Sequence, residues 1–152
     1  MLGTLSNTQI EHVLHRNLYG RLGYLSDGRI HIVPIAFAYR NNRIYAQSKV
    51  GQKIESMRLN PKVSFQVDEI DNMANWRSVL CWGTYVEITD PEEQEAVFSE
   101  LQDRLAPVVT SESTRKPPKN SDPPFIVKKK LRPVVFAIEI AEHTGRFEKS
   151  GR

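Results

Sequence analysis

Two dipeptides constrain this chain more than any other feature. Asp27-Gly28 and Asn41-Asn42 each separate segments whose apolar residues recur with period two. Gly, Asn and Asp tolerate the positive φ that a two-residue hairpin turn demands at its centre. A chain that reverses twice in quick succession through such turns is building an antiparallel sheet. The alternation predicts strands over residues 20–25, 29–39, 43–47, 62–69, 78–89 and 133–141. Pro34 inside the second has no N–H to give to a ladder, so it marks an edge or a bulge. Gly20, Gly23 and Gly83 lie inside strands, where they permit a bend or a close backbone approach.

Helices fit between these strands. Ser6 and Gln9 make a capping box ahead of Ile10, Val13, Leu14 and Leu18, which form one helical stripe. His12 and His15 fall on its solvent side. A short helix over residues 52–59 is stopped by Asn60-Pro61. Asp90 caps a third, with Pro91 at its first position and Glu92 and Glu93 in its first turn. Val97, Leu101 and Leu105 form its buried side, and Pro107 ends it. Residues 107–124 are polar and proline-rich, opening a long connection to residue 132. Lys128, Lys129 and Lys130 read as a solvated basic cluster, with phosphate contact the alternative.

The expected fold is mainly β. About six antiparallel strands joined by hairpins, with several strand glycines, favour a closed barrel over an open sheet. The 152 residues make one domain, 1–152. A hydrophobic share of 39% beside 26% charged residues suits a soluble chain. No apolar run approaches the ~20 residues of a membrane span, and no secretory signal is visible, so cytoplasmic residence is the default expectation. Cys81 is the single cysteine, which excludes an internal disulfide and a zinc cluster. It reads as a small buried hydrophobe. A net charge of +3 is too small to argue for nucleic acid.

One stretch carries candidate chemistry. In RIYAQSKVGQKIESMRLNP, residues 43–61, a strand turns at Gly51 into a helix, with Ser48 and Lys53 on either side. Free N–H groups at a helix start, a hydroxyl and an ammonium suit a phosphate. The competing reading is an ordinary corner with an exposed lysine. The stretch is not a Walker A loop, and no G-x-G-x-x-G occurs.

The ordered set HIVPIAFAY, RIYAQSKVGQKIESMRLNPKVSFQVD, WRSVLCWG and VVFAIEIAEHTGR resembles the FMN-binding split-barrel family. These are the pyridoxamine 5'-phosphate oxidase-related proteins, and the branch with nitroimidazole-resistance proteins is the nearest in look. The resemblance implies a six-stranded antiparallel split β-barrel and a homodimer with two FMN sites between the barrels. By it, Ile32, Val33, Pro34 and Ile35 would face the isoalloxazine ring. Gln47, Ser48, Gly51 and Lys53 would hold the ribityl and phosphate groups. Trp76, Arg77 and Ser78 would reach the flavin or its phosphate, commonly from the facing subunit or the pocket wall.

Two departures weigh against pyridoxamine phosphate as substrate. Gln52 stands where the oxidase has an arginine beside the phosphate lysine, and EKSGR lacks the family's Arg- and Trp-rich C-terminal motif. The expected function is an FMN-dependent oxidoreductase passing electrons or hydride to a small molecule, with NAD(P)H as donor and catalytic residues unassigned. The alternative is a non-catalytic split-barrel protein that holds FMN, or haem through His143. Otherwise His143 reads as a hydrogen-bonded loop residue. His31 could donate a proton to a substrate. Trp76 and Trp82 read as core or interface aromatics. A nucleic-acid domain acting through Lys128–Lys130 is the remote reading.

Overall fold

Both hairpin turns form as their residues dictate. Asp27 and Gly28 take φ of 51° and 73°, and Asn41 and Asn42 take 50° and 62°. They set Ser26 opposite Arg29 and Arg40 opposite Arg43. The computed structural model describes residues 1–108 and 133–151; the predicted connection beyond Val108, with Lys128–Lys130, lies outside the described residues.

Along the chain come β1 (Leu2–Thr4), α1 (Asn7–Arg16), β2 (Tyr19–Ser26), β3 (Arg29–Ala36), β4 (Ala38–Arg40) and β5 (Arg43–Ser48). Then follow α2 (Gln52–Leu59), β6 (Lys62–Asn72), β7 (Asn75–Glu87), α3 (Pro91–Leu105) with a closing 3-10 turn, and β8 (Val134–Glu148). The strands form one sheet in the order β3-β2-β6-β7-β8-β5-β4, with β1 added on β8. Every pairing is antiparallel.

The fold is the mainly β split barrel, with eight strands where the sequence indicated six. The predicted strand over residues 29–39 divides at Phe37, whose N–H leaves the ladder for the Leu18 carbonyl at 3.0 Å. β1 carries only three residues, too few for a period to show. β8 runs on to Glu148, so His143 lies in a strand opposite Cys81 instead of in a loop. α1 ends at Arg16, leaving Leu18 outside it.

Closure is the second correction. Among the described residues no ladder joins β3 to β5 or β4. β3 is an edge strand carrying Pro34, which cannot donate, and β4 has three residues. β4 pairs with β5 only over Arg43–Tyr45, so Ala46, Gln47 and Ser48 have no ladder on that side. The sheet therefore curls round and leaves a seam between β3 and the end of β5.

Side chains fill the interior. Leu22, Phe37, Ile44, Phe65, Phe136 and Ile138 are buried, with Phe37 edge-on to Phe65 at 4.9 Å. α1 adds Ile10, Val13 and Leu14, and α2 adds Ile54 and Met57. Each such burial contributes about 1.5–3 kcal/mol. The Ser6–Gln9 capping box is present in both directions, and the Asp90 carboxylate accepts from the Glu93 N–H at 3.1 Å. α3 lies outside the barrel, where Val97 and Leu101 pack on Ala38, Tyr45, Val135 and Ala137. At Gly83, beside the β7–β8 bulge, a Cβ would stand 2.3 Å from the Glu139 carbonyl oxygen. Only glycine allows that approach.

Candidate functional site

The seam between β3 and β5 is where chemistry-bearing residues converge. A cleft of about 260 Å³ opens there. β3 gives Pro34, Ile35 and Ala36, β5 gives Gln47, α2 gives Lys53, and α3 gives Leu101 and Leu105. Pro34–Ala36 of β3, Gln47, Lys53 and the end of α3 thus meet at one opening.

Lys53 is the cation that the described residues bring to this cleft. It sits in the first turn of α2, half-buried, and burial lowers its pKa from the ordinary lysine value. None of the five ion pairs among the described residues includes it. A desolvated ammonium that no described carboxylate pairs with favours an anion that enters beside it. Gln47 supplies a second signal, since its Oε1 is buried and has no hydrogen-bond partner. Such an acceptor is costly unless a donor arrives.

Gly51 supplies a third. Its φ of 179° is extended backbone that any residue adopts, and a Cβ built there would meet nothing within 4 Å. Neither strain nor packing requires glycine at this helix cap. Free space beside the first N–H groups of α2 is room for a bound group. An apolar wall, an orphan amide oxygen, a free cation and an open cap fit a planar ring with a hydroxylated, phosphorylated tail.

The remaining predicted residues are placed elsewhere. Ile32 is 68% exposed on the outer sheet face, where it lines a broad, mainly apolar groove of about 700 Å³ with Ile30, Leu25 and Trp82. Val33 points the other way and packs on the core. Ser48 donates to the Lys49 carbonyl at 3.2 Å. Gln52 donates to Ser26 Oγ at 3.3 Å and so ties α2 to the first hairpin.

Trp76, Arg77 and Ser78 do not reach the cleft within one chain. The Trp76 indole donates to Glu148 at 3.1 Å, and Ser78 Oγ accepts from Gln66 at 3.1 Å. Trp76 and Arg77 line a separate hollow of about 490 Å³ with Glu69 and Glu148. Glu69, beside Arg77, is held below the usual carboxylate range chiefly by its hydrogen bond from Arg16, with Asn17 and the Arg77 charge adding. β7 stands three strands from β3 across the sheet, roughly 14 Å at ordinary spacing.

Cys81 is fully buried, and burial pushes its thiol up to about 12. His12 and His15 are exposed, the latter edge-on to Tyr39. His143 Nδ1 is buried without a partner, so the expected hydrogen bond at that atom is absent among the described residues.

The sequence reading missed the role of α3. Leu101 and Leu105 were legible as its apolar side, but their service as a cleft wall depends on where the helix docks. Their i, i+4 spacing up to the last turn was the available signal.

Comparison with known proteins agrees with this fold. The family model described as pyridoxamine 5'-phosphate oxidase matches residues 6–147. An uncharacterized protein of Rhizobium meliloti, RA0666, is 39% identical over 84 residues, 55% of this chain; the match spans 56% of that relative. The crystal structure of an FAD-binding protein from Mesorhizobium loti superposes with a TM-score of 0.76 at 31% identity, covering 98% of this chain and 99% of its own. A structure from Bacteroides thetaiotaomicron, described as a candidate 5-nitroimidazole antibiotic resistance protein, gives a TM-score of 0.68 at 19% identity, covering 97% and 89%. At that identity the likeness concerns the fold alone.

Proposed function

The chain belongs to the pyridoxamine 5'-phosphate oxidase family, and from that premise we propose that it binds a flavin in the β3–β5 cleft and acts as a flavin-dependent oxidoreductase. The observation that carries this is the meeting of Lys53, the orphan Gln47 Oε1 and the Pro34–Ala36 wall at the seam. The FMN moiety, which FMN and FAD share, supplies the ring, the ribityl chain and the first phosphate. FMN is the cofactor the family resemblance implies, whereas the relative at 31% identity is described as FAD-binding.

The chain's own residues bind and orient. Lys53 would neutralise phosphate charge in a half-buried setting, where a charge-assisted contact contributes about 1.5–3 kcal/mol. Gln47 Oε1 accepts, so it suits a ribityl hydroxyl or a ring N–H better than a phosphate oxygen. Pro34, Ile35, Ala36, Leu101 and Leu105 would exclude water from one side of the ring. When bound, a flavin supplies hydride and electron transfer, while the protein tunes and positions it. Among the described residues no histidine or carboxylate lines the cleft.

A second copy of the chain completes the site in this reading. The cleft of about 260 Å³ is smaller than the roughly 300–1,000 Å³ that usually holds a cofactor-sized ligand. The Trp76–Ser78 stretch and the exposed Ile30, Ile32 and Trp82 face are what a facing copy would use. NAD(P)H is the proposed donor, and a small electron-poor molecule such as a quinone or nitro compound the acceptor.

Anaerobic spectrophotometry of the flavin-loaded protein tests the oxidoreductase claim. NADPH or NADH should bleach the band near the visible flavin maximum, and a quinone should restore it. A loaded protein that neither bleaches nor turns over would be a flavin carrier without catalysis.

A further inference from the structure

We infer that a hollow adjoining the cleft at Pro34 holds the electron acceptor: Tyr19 stacks on its ring, and the Arg21 guanidinium donates to its carbonyl or nitro oxygen. This rests on the flavin reading above and adds the residues that recognise the second substrate. The hollow measures about 290 Å³, and Tyr19, Arg21, Pro34 and Asp68 are among its walls. Pro34 lines the β3–β5 cleft as well, so the two spaces meet at one residue. The pairing of β2 with β3 brings this about. Tyr19 stands opposite Ala36, and Arg21 opposite Pro34. Directly paired residues of an antiparallel ladder project to the same face. The two side chains therefore stand beside the Pro34 and Ala36 that border the space for the flavin.

Each side chain brings one half of what a planar acceptor needs. Tyr19 is 58% exposed, and its ring has no aromatic partner among the described residues. A flat, uncovered ring is a stacking surface. Arg21 is pinned, since its Nη1 donates to Asp68 Oδ2 at 2.9 Å. That bond uses only part of a guanidinium, which carries several N–H donors in a fixed fork. The Asp68 carboxylate thus orients the fork and leaves donors for an oxygen alongside. A donor held in place is most effective at the oxygen that gains electron density on reduction. The volume, near the roughly 300 Å³ at which small-molecule pockets begin, suits a single substituted ring.

Duroquinone, a fully substituted quinone that does not alkylate thiols, tests this when titrated into the flavin-loaded protein in its oxidised form. No electrons are then available for turnover, and binding is read as a saturable perturbation of the flavin absorbance. Arg21→Gln should weaken it at least about five-fold, the low end for a charge-assisted contact because Arg21 is half-exposed. Arg21→Lys should recover little, since an ammonium keeps the charge and lacks the fork. Tyr19→Leu should weaken it about two- to ten-fold. Flavin affinity, measured by fluorescence quenching on the apoprotein, should stay within about two-fold in all three variants, because neither residue lines the cleft. No saturable perturbation in the flavin-loaded wild type, equal quinone affinity in Arg21→Gln, or full recovery in Arg21→Lys would overturn the inference and leave the flavin reading standing. Loss of flavin affinity in step with that of the quinone would also overturn it, by assigning these residues to the cofactor. Failure of the wild type to bind flavin would overturn the flavin reading itself.

Discussion

Gly51 separates function from architecture at the scale of one residue. In the free protein a methyl group there meets nothing and the backbone is extended. Gly51→Ala should therefore leave the melting temperature within about 2 °C, a change of under ~0.5 kcal/mol. It should also weaken flavin binding several-fold, because the methyl occupies ligand space. Gly83 is the contrasting case, since its Cβ would strike backbone. Cys81 gives a second residue-level test. A buried thiol pushed up to about 12 should react with a disulfide reagent at pH 8 at least about a hundred-fold more slowly in the native than in the denatured protein. Comparable rates would show that the β7–β8 interior opens readily.

Elements explain what could and could not be read from the sequence. Helix caps and hairpin turns act through neighbours in the chain, so Ser6–Gln9, Asp90-Pro91, Asp27-Gly28 and Asn41-Asn42 were legible and formed as expected. Pro34 correctly marked an edge strand. Closure was not legible, because it depends on whether two distant strands meet. Strand ends were also obscured: β8 continues through Thr144-Gly145-Arg146, where polar residues pair with β7 as well as apolar ones do. At the cleft, Pro34, Ile35 and Gln47, named by the family resemblance, converge with Lys53, which the strand-to-helix corner also named, whereas the place of Leu101 and Leu105 depended on α3 docking. Asp90→Ala should cost about 1 kcal/mol by removing the α3 cap, read as a lower urea midpoint at unchanged slope.

The whole molecule presents a barrel with a seam on one side and an apolar outer face nearby. Ile30 and Ile32 are 77% and 68% exposed, and Trp82 joins them at 38%. It is the face that the proposed dimer would bury. No described helix is long and apolar enough to cross a membrane. In the dimeric reading, Ile32→Glu should convert the dimer to a monomer by light scattering and weaken flavin binding at the same time. A flavin-loaded Ile32→Glu monomer would show that one chain suffices.

In the proposed site Lys53 grips a flavin phosphate at the seam. An equilibrium titration of flavin into the wild-type apoprotein and Lys53→Ala, with circular dichroism confirming that both are folded, measures that contact. Saturable quenching is expected for the wild type, and Lys53→Ala should bind roughly ten- to a hundred-fold more weakly, the loss of one charge-assisted contact. Equal affinity in the two proteins, or no binding by the wild type, would contradict the account.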